Sequence, residues 1–210
     1  MPIKTIDLDN SVLLVIDVVN SCCSEKCEIK KWNITYKKIR KMIPNLERFI
    51  VNYKAITKRP VIYIKTTPWR KEFLTKNLIE LYKNPDCNYY SLDKTGYSEE
   101  LYLLKPTSKD YVLEKNTYDA FTNKNLEIIL HKLKVKNIII AGVFADGCVN
   151  STIINGFSKG YNFIILEDLV ETTDKKERQD IKNLLIKYTW RQMYGKIVKS
   201  KDLLRSLETK

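Results

Sequence analysis

At 210 residues, 44% hydrophobic and 30% charged, the chain is long enough for one domain with a sizeable core and has the balance of a globular protein. Its 37 Lys and Arg against 25 Asp and Glu leave a net charge of +12. The lysines run through the whole chain with no compact basic block, RNP-like motif or zinc-finger spacing, so the charge reads as a solvated surface and not as a nucleic-acid footprint. No apolar run reaches bilayer-spanning length and residues 1–7 lack a secretory hydrophobic region, so the expectation is a cytoplasmic protein without membrane contact.

In chain order, Val12-Leu13-Leu14-Val15-Ile16 is a continuous apolar run ending at Asp17, the pattern of a strand buried on both faces. Ile39, Met42, Ile43, Leu46, Phe49, Ile50, Tyr53 and Ile56 then recur at helical spacing, and Pro44 inside the pattern is expected to kink it or to mark a new helix start. Residues 60–64 read as a second strand. Residues 66–108 are irregular, with turn residues at Pro68, Pro85, Gly96 and Pro106 and short helices at 73–82 and 99–104. A third strand, 111–114, leads straight into Lys115. A helix follows at 123–133, then a strand at 137–141, a helix at 148–159 and a strand at 162–166. Residues 174–194 form an amphipathic pattern with Ile181, Leu184, Leu185 and Tyr188 on one face. A short strand at 196–198 and a terminal helix close the chain. Strands alternating with helices predict a doubly wound three-layer α/β sandwich with a six-stranded, mainly parallel sheet, in a single domain over 1–210.

The five cysteines, Cys22, Cys23, Cys27, Cys87 and Cys148, are odd in number and irregular in spacing, which argues against a disulfide framework and matches no zinc pattern. The one histidine, His131, lies on the 123–133 helix and cannot supply a multi-histidine metal centre. Any nucleophile here must therefore use another base.

In doubly wound sheets, ligands bind beyond the carboxyl ends of the strands. Asp17 ends the first strand, Lys115 the third, and Cys148 follows the fourth through the short turn Gly142-Val143-Phe144-Ala145-Asp146-Gly147. Taken singly, each has a plain alternative: a helix cap, an exposed lysine, a buried structural thiol. Taken together, their chemistry is complementary. A carboxylate can accept a thiol proton, an ammonium steadies the thiolate, and a helix N-terminus is expected to lower the thiol pKa.

Three stretches carry a resemblance. They are Ser11-Val12-Leu13-Leu14-Val15-Ile16-Asp17; Glu114-Lys115-Asn116-Thr117-Tyr118-Asp119-Ala120-Phe121; and Ala141-Gly142-Val143 through Cys148-Val149-Asn150-Ser151-Thr152, with Gly160-Tyr161 and Glu167-Asp168 beyond. Over roughly residues 10–200 the chain resembles the isochorismatase-like cysteine hydrolases, which include nicotinamidases and N-carbamoylsarcosine amidohydrolases. The resemblance implies a catalytic Asp17–Lys115–Cys148 triad, a cis peptide at Val143–Phe144, and an oxyanion hole made by the backbone N–H groups of Phe144 and Cys148. It also implies a small-molecule substrate and a homo-oligomer, either dimer or tetramer.

The chain departs from that pattern in places. Where nicotinamidases carry an Asp-x-His…His metal site, it reads Lys65-Thr66-Thr67-Pro68-Trp69-Arg70-Lys71, so no metal and no cofactor are expected. Ala145 replaces the usual Thr, and Phe144 is bulky for its place. Trp69, Tyr97, Tyr118 and Phe144 are candidate pocket walls, each with core packing as its alternative, and Arg70 is a candidate partner for an anionic group. The expectation is metal-independent hydrolysis of a small amide, ureido or related C–N bond through a thioester. Nicotinamidase-type or isochorismatase-type activity, a catalytically silent small-molecule or partner binder, and last a nucleic-acid binder are the alternatives.

Overall fold

The computed structural model describes residues 10–29, 34–68, 70–81, 83 and 99–208. Its centre is strand β1, Ser11–Ile16, which is buried along its whole length. That burial follows from position: β1 pairs in parallel with β2 (Val61–Thr66) on one side and with β4 (Asn137–Val143) on the other. The sheet has six strands in the order β3-β2-β1-β4-β5-β6, with β3 at Tyr111–Lys115, β5 at Asn162–Glu171 and β6 at Gly195–Val198. Every pairing is parallel. The order reverses between β1 and β4, so the switch point lies where the sequence puts Asp17 and the Cys148 turn.

Period-two alternation sends strand side chains to two separate cores. Leu13, Val15, Tyr63, Ile139 and Ile164 face α2 (Lys37–Thr57) and α7 (Ser200–Glu208), whereas Val12, Leu14, Ile16, Ile138 and Ile140 face α4 (Lys124–Lys132) and α5 (Asn150–Ser158). The result is helix, sheet and helix in three layers.

Pro44 does not divide α2, which runs unbroken through 21 residues. A proline in a helix interior costs about 3 kcal/mol. Against it stand seven buried side chains, Ile39, Met42, Ile43, Leu46, Phe49, Ile50 and Tyr53, each contributing roughly 1.5–3 kcal/mol of apolar burial. Packing outweighs the lost backbone bond.

Two sequence expectations fail. No helix forms at 99–104; instead Leu101 bridges Val19, Asn20 N–H donates to Glu100 O and Tyr102 N–H donates to Val18 O. Backbone groups that would have closed a helical turn are used to cover the segment after β1. Over 174–194, α6 spans only Lys176–Leu184 and gives way to a π-helical segment, Leu185–Tyr194. From residue 185 on, the wider turn changes the phase of the side chains. Ile181, Leu184 and Tyr188 face outward, and Trp190 becomes the buried anchor, its indole N–H donating to Asn150 Oδ1 at 2.9 Å. The 73–82 helix is shorter than expected, α3 covering Lys76–Leu81. A four-residue helix, α1, spans Asn20–Cys23.

Candidate active site

The carboxyl edge of the sheet brings Asp17, Lys115 and Cys148 to one place. Asp17 leaves β1 in the left-handed region at φ 48, a conformation Asp tolerates better than most residues. Its N–H donates to Ile64 O of β2 at 2.9 Å, which fixes the turn. Lys115 is the last residue of β3, an edge strand whose burial alternates until this fully covered side chain. Strands lie roughly 4.8 Å apart, so β3 is separated from β1 by the width of β2, and only a long side chain can cross it. Cys148 sits in the wide turn Ala145–Val149 between β4 and α5. The Val143–Phe144 peptide that opens this turn is cis.

Lys115 is the hub. Its Nζ lies 2.7 Å from Asp17 Oδ2, 2.9 Å from Thr117 O and 3.4 Å from Cys148 Sγ. An ammonium has three donors, and here each has an acceptor. The side chains of Lys115 and Asp17 are only 1% and 2% exposed. Burial alone would lower the lysine's proton affinity, but Asp17 and the Cys148 sulfur more than offset it and hold Lys115 protonated above the ordinary lysine range. Asp17 Oδ1 is buried and has no hydrogen-bond partner among the described residues.

The thiol behaves contrary to the helix-terminus expectation. Burial pushes Cys148 well above the ordinary thiol range; Lys115 pulls it down, and the Asp17 charge pushes it further up. Desolvation of a thiolate exceeds what one ammonium and a helix end return, because the ammonium is already neutralised by Asp17. Burial thus favours the thiol form of the resting sulfur.

The sulfur is not sealed in. Cys148 lines a pocket of ≈ 390 Å³ together with Tyr118, Phe144, Asp146, Gly147, Arg178 and Ile181. Tyr118 and Phe144 were candidate walls from sequence and stand there; Trp69 and Tyr97 lie outside the described residues. Arg70 is exposed, 3.6 Å from Glu72 and stacked on Phe73, and does not line this pocket. His131 is exposed at the end of α4. Asp146, Arg178 and Ile181 escaped the sequence reading. Asp146 lies in the turn that carries Cys148 and was findable; Arg178 lies thirty-two positions further on in a Lys-rich stretch and gave no signal. Cys22, Cys23 and Cys27 are buried, and Cys87 lies outside the described residues. Among the described residues, no group of three or more His, Cys, Asp or Glu side chains is arranged to hold a metal ion, and no helix is long and apolar enough to cross a membrane.

Similarity to known proteins extends over most of the chain. A family model described as "Isochorismatase domain" matches residues 11–200. The chain is 25% identical to the ureidoacrylate amidohydrolase RutB of Acinetobacter baylyi over 173 residues, covering 76% of this chain and 70% of that protein. It is also 25% identical to the secreted isochorismatase effector Isc1 of Verticillium dahliae over 206 residues, 97% of this chain and 95% of that one. Its fold superimposes on the crystal structure of a cysteine hydrolase from Pseudomonas syringae pv. phaseolicola with a TM-score of 0.79 at 20% identity, covering 97% of this chain and 95% of the other.

Proposed function

The chain belongs to the isochorismatase family of hydrolases, and on that premise we propose that it is a cysteine hydrolase of small amide or ureido C–N bonds, working through Asp17, Lys115 and Cys148. The observation that carries this reading is the buried Lys115 ammonium, 2.7 Å from the Asp17 carboxylate and 3.4 Å from the Cys148 sulfur. We read the chain as one catalytic domain, because the first and last strands belong to one sheet.

The chemistry follows from where the proton starts. Asp17 takes the Cys148 proton on Oδ1 as a carbonyl enters, and Lys115 stays charged and steadies the thiolate. Sulfur attacks the carbonyl carbon and the carbonyl oxygen gains negative charge. The N–H groups of Phe144 and Cys148 meet that charge; one such donor is typically worth about 2.7–4 kcal/mol in the transition state. Asp17 then returns its proton to the departing nitrogen, the C–N bond breaks and ammonia or an amine leaves. Water attacks the thioester with Asp17 as base, the acid product departs and the thiol is restored.

Ammonia release from nicotinamide, ureidoacrylate, N-carbamoylsarcosine and a set of simple primary amides tests the reading. Wild-type protein is expected to turn over at least one compound, with Cys148→Ala at background. A wild-type protein inert across the whole set would sink it.

A further inference from the structure

We propose that Arg178 is a positioning residue: through its two-pronged ion pair with Asp146 it clamps the turn that carries Cys148. The inference rests on the nucleophile reading of Cys148. Asp146 stands two residues before Cys148 in the turn Ala145–Val149. Its Oδ2 accepts from Arg178 Nε and its Oδ1 from Arg178 Nη2, both at 2.5 Å. Thr172 Oγ1, at the end of β5, donates to Asp146 Oδ1 at 2.6 Å. The Arg178 guanidinium also lies over the Phe144 ring, 5.5 Å from its centre. One side chain thus holds both the residue that opens the turn and the residue next but one to the sulfur.

The turn needs such a hold. Gly147 separates Asp146 from Cys148 with non-helical angles of φ −122 and ψ −105. A Cβ placed there would meet only Phe144 Cβ, at 3.9 Å. Neighbouring atoms therefore do not wedge the joint, and glycine contributes the least intrinsic stiffness of any residue. Backbone bonds from Gly147 N–H and Val149 N–H both end on Phe144 O, at 3.0 and 3.2 Å, so the turn is tied back to Phe144, the ring Arg178 covers. A bidentate guanidinium–carboxylate pair fixes orientation as well as distance. It is also sheltered, with the Arg178 side chain 17% and Asp146 7% exposed.

Arg178 is itself a fixed post. Neighbouring residues of α6 are anchored independently to the end of β5: Gln179 Nε2 donates to Glu171 Oε1 and Thr173 O, each at 2.9 Å, and Lys182 Nζ lies 2.7 Å from Glu171 Oε1. Removing the Arg178 pair should therefore free the turn while leaving α6 in place.

Two variants test this without stranding a buried charge. Arg178→Lys keeps the charge but loses the fork, and the double variant Asp146→Asn/Arg178→Gln keeps shape and hydrogen bonding without the ion pair. Thermal melting first confirms that each is folded. Steady-state ammonia release from the best of nicotinamide, ureidoacrylate and N-carbamoylsarcosine is expected to show kcat lower by about 30- to 100-fold with KM within about threefold, the scale of an ångström's misplacement of a catalytic group. Iodoacetamide alkylation of Cys148, followed by peptide mass mapping across pH 7–10, is expected to be about tenfold faster at pH 8, because the freed sulfur leaves its buried seat beside Lys115 and approaches ordinary thiol behaviour. A kcat within threefold of wild type, a loss confined to KM, or an unchanged alkylation profile overturns the clamp. If wild-type protein turns over none of the compounds, the hydrolase reading fails instead, and alkylation alone decides the clamp.

Discussion

At the scale of single residues, the site holds two groups whose proton affinities are raised by the fold, Lys115 and Cys148. Their effect on stability has one sign. A group whose folded pKa exceeds its unfolded value contributes fully below the unfolded pKa and loses that contribution as pH rises toward the folded one. Unfolded thiols titrate near about 8.5 and lysines near about 10.4. Stability should therefore fall as pH climbs above about 8.5, at up to about 1.4 kcal/mol per pH unit for each proton retained by the folded state. In Cys148→Ala the fall between pH 8.5 and 10 is expected to be shallower, measured by urea melts at several pH values. Equal slopes for variant and wild type would show that the folded thiol titrates normally. The placement of Asp17, Lys115 and Cys148 at one sheet edge was legible in sequence because each lies at or just past the end of a strand. The thiol's resting state was not, because it depends on desolvation and on the Asp17 partner of Lys115, which only the assembled edge reveals. Arg178 was hidden for a related reason: its meaning comes from Asp146, a partner thirty-two positions away.

At the scale of elements, the strands were the most legible part of the chain. A strand covered on both faces must be apolar throughout, and 12–16, 60–64 and 137–141 say so directly. The π-helical segment and the coil at 99–104 were illegible because their backbone bonding is settled by contacts distant in sequence. One element detail controls the site. Gly142 sits at φ +115 near the end of β4, where the β4–β5 register shifts, and a Cβ there would lie 2.1 Å from Ile16 O. Ile16 is the residue before Asp17, so β4 can approach β1 at the carboxyl edge of the sheet only with glycine. Gly142→Ala is expected to destabilise the fold by about 3 kcal/mol or more, combining a disallowed backbone angle with a backbone clash. Ammonia release should fall further than the folded fraction does, because Asp17 moves with Ile16. A urea midpoint equivalent to a loss below about 0.5 kcal/mol would mean that the strands separate easily and that the glycine is not what seats Asp17.

At the scale of the molecule, a net charge of +12 sets a balance between long-range repulsion and local pairing. The exposed ion pairs, such as Lys83–Glu80 at 2.7 Å and Lys176–Asp180 at 2.5 Å, contribute little, because solvent screens them. Salt weakens them, but it weakens repulsion between distant lysines more. The Debye length falls from about 30 Å at 0.01 M to about 8 Å at 0.15 M, shorter than most of the separations across the molecule and longer than an ion-pair contact. The paired charges of the site, Asp17 with Lys115 and Asp146 with Arg178, are sheltered from solvent and respond little. Raising sodium chloride from 10 mM to 150 mM is therefore expected to raise the melting temperature by a few degrees, while the kcat for an uncharged amide stays within twofold. A melting temperature that falls with salt would mean that surface pairs outweigh the repulsion of twelve excess positive charges. A kcat that collapses with salt would mean that the site's ion pairs are open to solvent, contrary to their burial.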